Sequence, residues 1–191
     1  MKIRFAITAA ALIGASSAAL AHPGHHPASF FTGFTHPLGG FDHLLAMLAV
    51  GVYAARQRDA SRWMLPAGFM LAMLIGAVMG AAGAELPGME AGIAASVLVF
   101  GLLIALAARL PLAAGVSLMT AFALFHGNAH HAEMGEATLM AYAVGFLLAT
   151  ALLHAAGYAI ARWMPETPLG RAVQRAAGTL VAGAGALMLA A

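Results

Sequence analysis

The run His36-Pro37-Leu38-Gly39-Gly40-Phe41-Asp42-His43-Leu44-Leu45-Ala46-Met47-Leu48-Ala49-Val50-Gly51 places an acid and two histidines at the mouth of an apolar segment. Ionisable groups are expensive where a helix enters lipid, so such residues read as functional by default. Pro37, Gly39 and Gly40 predict a broken backbone, with Asp42 in the first turn of the helix that follows. The free N–H groups and positive dipole end of that turn suit a carboxylate. A break just before them lets His36 fold back towards Asp42 and His43. Two readings stand. Carboxylate oxygen and imidazole nitrogen converging on one point make a divalent-metal site; otherwise Asp42 is an N-cap and His43 an interfacial side chain.

Bulk composition says what surrounds this stretch. Of 191 residues, 62% are hydrophobic and 8% charged, against roughly 25% charged in soluble domains. The chain therefore reads as an all-α integral membrane protein whose main partner is the lipid bilayer. A formal charge of +2 gives no footprint for nucleic acid. The absence of cysteine excludes disulfides, thiolate metal sites and iron–sulfur clusters. No Gly-x-x-x-x-Gly-Lys-Ser/Thr loop occurs, so no nucleotide partner is expected.

From the N-terminus, Lys2 and Arg4, an apolar run and Ala19-Leu20-Ala21 form the pattern of a cleavable signal peptide over residues 1–21, the alternative being an uncleaved first helix, for which the run is short. Residues 22–35 follow as a His-rich arm with His22, His25 and His26, expected to be irregular and outside. It is either a flexible collector of cations or an ordinary polar terminus. Residues 36–191 form the membrane domain. Its six apolar segments run approximately Asp42–Ala55, Trp63–Ala82, Ala91–Ala108, Leu112–His126, Ala137–Arg162 and Leu169–Ala191. Most approach the ~20 residues needed to cross a bilayer. The fourth is short unless it continues past His126. Gly76-x-x-x-Gly80 predicts close helix packing.

The connections fix the orientation. Arg56, Arg58 and Arg62 lie in the first, Arg109 in the third, and Arg162, Arg171 and Arg175 around the fifth. The second and fourth carry only acids, Glu85 and Glu90, then Glu133 and Glu136. The positive-inside rule makes the arginine side cytoplasmic and both mature termini periplasmic. Spans one to three and four to six then run in opposite senses, the arrangement of a 3+3 inverted repeat, although the halves share no convincing identity.

A second polar constellation, Phe125-His126-Gly127-Asn128-Ala129-His130-His131-Ala132-Glu133, falls on the same outer side as the first. His126, His130 and Glu133 are spaced i, i+4 and i+7, one stripe of a helix running past the apparent end of span four. Two imidazoles at i, i+4 can share one cation; a wet turn outside the membrane is the plainer alternative. Glu90 either completes such a site or caps span three. His154, inside span five, is equally a packing histidine or a ligand.

Both signatures resemble those of the HupE/UreJ family of nickel permeases. His36-Pro37-x-x-Gly40-x-Asp42-His43 with Met47 and Val50-Gly51 matches the first, and Phe125-His126-Gly127-x-Ala129-His130-x-x-Glu133 the second. His131 departs from the pattern, standing where the family usually has Gly. The resemblance implies a six-helix carrier after a signal peptide. Its substrate would be Ni²⁺, carried inward for hydrogenase or urease maturation, with no prosthetic group and no enzymatic activity. It also assigns His36, Asp42, His43, His126, His130 and Glu133 as metal ligands. Glu90, His131, His22, His25 and His26 stand as additional candidates. Ligand softness alone leaves Co²⁺ and Zn²⁺ open. The rival class is a membrane metalloenzyme, or a haem protein with His43 and His126 as axial ligands.

The orientation has a direct test. Alkaline phosphatase fused after Ala191 is expected to be active and a fluorescent protein fused there dark. A fusion that works only in the cytoplasm defeats the six-span topology.

Overall fold

A computed structural model describes residues 29–133 and 139–191; the signal peptide and His22, His25 and His26 lie outside them. Among the described residues there are seven helices and no strand. These are α1 (Phe30–Gly39), α2 (Phe41–Ala55), α3 (Ser61–Ala81), α4 (Met89–Ala105), α5 (Leu112–Glu133), α6 (Leu139–Trp163) and α7 (Pro168–Ala190).

The first helix corrects two expectations. The arm is not irregular to its end, because Ser29 opens a helix at Phe30. The Ser29 hydroxyl accepts from Thr32 N–H at 3.2 Å, and Ser29 N–H donates back to Thr32 Oγ1 at 2.8 Å. This reciprocal capping box satisfies two of the orphan donors of a helix start. Pro37 and Gly39 then lie inside α1 instead of breaking it. Pro37 costs one ladder bond, and α1 tolerates that near its end because its earlier turns are capped and packed. Gly40 alone interrupts the chain, and α2 departs at 85° from α1. A Cβ at Gly40 would come within 2.9 Å of Asp42 Oδ1 and 3.3 Å of His43 Nδ1, so glycine at the bend leaves these two side chains room.

By length and composition α3, α5, α6 and α7 can each cross a membrane, and the bent pair α1–α2 gives a fifth candidate when counted as one broken span. The expected third span is α4, apolar but only 17 residues long. The expected extension of the fourth is present, since α5 continues unbroken through Gly127 to Glu133. Large apolar side chains face outward along these helices: Leu71 is 61% exposed, Met140 78% and Leu180 76%. That surface belongs in lipid, and the chain is a multi-pass membrane protein.

Between the helices, backbones touch. A Cβ at Gly33 would collide with the Tyr142 carbonyl, and one at Gly145 with that of Phe30, joining α1 to α6. Gly51 against His154 and Gly157 against Leu48 join α2 to α6 in the same way. Gly76 against Leu124 and Gly127 against Met73 join α3 to α5; Gly101, Gly178 and Gly185 join α4 to α7. Small residues that let backbones approach are how membrane helices pack without a hydrophobic driving force. Around these contacts Met47, Phe69, Met73, Phe100 and Met119 fill the core.

One end of the bundle is basic. Arg56, Arg58, Arg109, Arg162 and Arg171 line a cavity of about 440 Å³ together with Glu166. Arg56 donates to the Gln174 carboxamide, and Arg175 to the Ala105 carbonyl at 2.8 Å. Burial, and then the neighbouring Arg109, Arg171 and Arg175, push the Arg56 guanidinium below its ordinary value. The connections that carry these arginines thus meet in space.

The glycine contacts give a stability test. Gly127→Val must force α3 from α5 and is expected to lower stability by about 1–3 kcal/mol. Gly68→Ala, with nothing within 4 Å of the added carbon, should be neutral or slightly stabilising. Unfolding in detergent distinguishes the two; equal stability would mean that the α3–α5 contact has slack.

Candidate metal-ion site

The bend and the α5 stripe bring four imidazoles together. His36 comes from the last turn of α1, His43 from the first turn of α2, and His126 and His130 from adjacent turns of α5. Ring centroids lie 4.7 Å apart for His43–His126 and for His43–His130, 4.8 Å for His36–His130 and 5.9 Å for His36–His43. His43, His126 and His130 are 6%, 0% and 1% exposed, while His36 is half-buried.

Hydrogen bonds around the cluster assign the tautomers of two rings. His43 Nδ1 lies 2.8 Å from Asp42 Oδ1, which also accepts the His43 backbone N–H at 2.6 Å. A carboxylate only accepts, so Nδ1 carries the proton and His43 Nε2 keeps its lone pair. The Ser96 hydroxyl donates its single proton to the Ile93 carbonyl at 2.7 Å. It must therefore accept from His126 Nε2–H, 2.9 Å away, which leaves the lone pair on Nδ1. Both lone-pair nitrogens are buried and have no hydrogen-bond partner in the protein. Neutral imidazole with its other nitrogen held by a carboxylate or hydroxyl is the form that binds a metal. Asp42 thus orients His43 through Oδ1.

Each expected residue can now be placed. His36, Asp42, His43, His126 and His130 are brought together. His131 and Glu133 belong to the last turn of α5, with Glu133 three residues beyond His130. Glu90 is exposed, in the first turn of α4 after the left-handed Gly88 (φ 68°), a position suited to a helix-start carboxylate. Among the described residues no three His, Asp or Glu side chains already surround one point suited to a metal. The rings meet edge to face, and closing on an ion requires them to turn.

Three supporting residues were missed from sequence. Ser96 is the only hydroxyl of its apolar segment, which was the available signal. Asn128, 2% exposed, donates to the carbonyls of Ala84 at 2.9 Å and Gly76 at 3.3 Å and accepts from Leu86 N–H at 2.9 Å. It pins the connection after α3 beside the α5 histidines. Phe69, fully buried, lies 5.6 Å from His126 and 5.6 Å from His154, and aromatic residues at helical spacing give no sign of this.

The tautomer assignment is testable without metal. In ¹⁵N-histidine-labelled protein, His126 is expected as the Nε2–H form, and Ser96→Ala should release it to a mixture. An unchanged spectrum in the variant would mean that Ser96 does not set the proton.

Comparison with known proteins gives the family of the chain. No solved structure matches the chain. It is 38% identical to Protein HupE of Rhizobium leguminosarum bv. viciae over 99% of both chains. The family model described as HupE / UreJ protein matches residues 10–188, which include the bend, the α5 stripe and the arginine end. The chain belongs to the HupE / UreJ family.

Proposed function

We propose that this protein is a secondary permease that carries Ni²⁺ inward across the cytoplasmic membrane to supply nickel enzymes such as hydrogenase or urease. The observation that carries the reading is the buried imidazole cluster. His36, His43, His126 and His130 meet at a helix break inside an apolar bundle, with two lone-pair nitrogens oriented and unpartnered. Family membership supports transport over catalysis. The meeting of Arg56, Arg58, Arg109, Arg162 and Arg171 at one end of the bundle supports a single cytoplasmic face. In that topology α1–α2 is the first of six spans, α4 the third, and both mature termini are periplasmic.

In the mechanism His22, His25 and His26 gather the ion outside. It then exchanges waters for the imidazoles of the cluster and the carboxylate of Glu133, with Asp42 holding His43 in its metal-binding tautomer. Imidazole and carboxylate also suit Co²⁺ and Zn²⁺, so competition by these ions ranks the substrates. The haem alternative meets a steric objection: rings 4.7 Å apart leave no room for a porphyrin between His43 and His126.

Uptake measured against external nickel separates collection from passage. Replacing His22, His25 and His26 together by Ala should weaken uptake chiefly at scarce nickel. His43→Ala or Asp42→Ala should abolish it at every practical concentration, because a low-dielectric site replaces lost donors poorly. Full velocity of the single variants at high nickel would place permeation elsewhere. A triple variant that is dead throughout, at normal expression, would make the arm part of the site.

A further inference from the structure

His154 is a buried polar group that the imidazole cluster does not use. It lies inside α6, 4% exposed, and neither ring nitrogen has a hydrogen-bond partner in the protein. One turn earlier on the same face, Thr150 is 0% exposed and its hydroxyl is also unpartnered. A helical threonine ordinarily bonds a carbonyl of the preceding turn, so two adjacent polar side chains here forgo their available partners. An orphaned polar group in an apolar interior is costly, and within a membrane an ionisable one such as His154 marks an ion pathway.

Their place in the bundle says which pathway. The His154 backbone lies against Gly51 of α2, eight residues beyond His43. At ~1.5 Å per residue this is ~12 Å deeper along the helix than the cluster. Arg162, on the cavity of the basic end, lies eight residues farther along α6, so His154 sits about midway between the two. Phe69 packs on both His126 and His154, with ring centroids 5.6 Å apart in each case. Its side chain bridges the cluster and His154.

We propose that His154 and Thr150 form a second, transient station for a divalent transition-metal ion on the inward side of the His36–His43–His126–His130 cluster. The proposal rests on the permease reading. The station offers one imidazole nitrogen and one hydroxyl oxygen, the ion's remaining waters completing its shell. No Asp or Glu occurs in α6, so the ligands are neutral. Conduction requires a site firm enough to accept the ion yet weak enough to release it, and neutral donors meet that need. Phe69 separates the two stations, so its ring must move for the ion to pass.

The test uses purified full-length protein, measuring Ni²⁺ binding in detergent and Ni²⁺ uptake into proteoliposomes. Wild type, His154→Leu, His154→Gln and Thr150→Val are compared, with monodispersity on gel filtration as the check on folding. For both His154 variants uptake velocity is expected to fall at least about tenfold. Binding at the outer cluster should stay within about twofold of wild type, as for independent sites. Thr150→Val should show a smaller fall of the same kind. If His154→Leu fails to fold, His154→Gln, which keeps polarity and size, carries the comparison. Wild-type velocity in the folded His154 variants would overturn the station and leave the permease reading intact. Loss of outer binding together with uptake would overturn it too, by making His154 part of the first site. Wild-type proteoliposomes that take up no Ni²⁺, Co²⁺ or Zn²⁺ would instead bring down the permease reading, and the station with it.

Discussion

A lone pair on a buried imidazole, turned away from water and bonded to nothing, is unfavourable in an apolar bundle, and the folding of this chain sustains several. The Asp42–His43 hydrogen bond is the tightest expression of that constraint. It holds the carboxylate to the proton of one ring nitrogen and so dedicates the other to a ligand. Gly40, just before them, leaves this pair room that a Cβ would crowd. The 85° bend there brings His36 and His43 together from two different helices. Ser96 does for His126 from α4 what Asp42 does for His43 from the adjacent position. Two unrelated elements thus impose the same chemical state on two rings.

Much of this was legible in the residues themselves. Composition forced a membrane protein, and the i, i+4 spacing of His126 and His130 foretold two imidazoles on one face of a continuing helix. The convergence of Asp42, His43 and His36 was legible because a helix break beside charged residues has few other uses. The site of the break was not. Pro37 signals an interruption by its missing N–H, but one lost bond in a capped and packed helix is survivable, while the Gly40 clash is a three-dimensional fact. Ser96 and Phe69 were equally hidden, since their significance lies in neighbours from distant helices. The third span was overdrawn because Leu106, Ala107 and Ala108 continue the apolar run after the helix has ended at Ala105.

The two faces of the bundle are electrically unlike. Imidazoles and one carboxylate converge at the bend, whereas arginines held to carbonyls and carboxamides converge at the other end. Among the described residues none of those arginines is paired with a carboxylate within 4 Å. A cation therefore finds donors at one end and repulsion at the other.

The glycine contacts divide the helices mechanically. Backbone-to-glycine seams weld α1 and α2 to α6, α3 to α5, and α4 to α7, giving three tightly packed blocks. His36, His43 and His154 ride on the first block; His126, His130 and Phe69 ride on the second. Every ring contact of the cluster that spans helices beyond the bend, and the Phe69–His154 contact below it, crosses the same boundary. A shear along that boundary would leave each weld intact while changing the His36–His130, His43–His126 and Phe69–His154 spacings together. The small residues that hold the protein together thereby also determine where it can move.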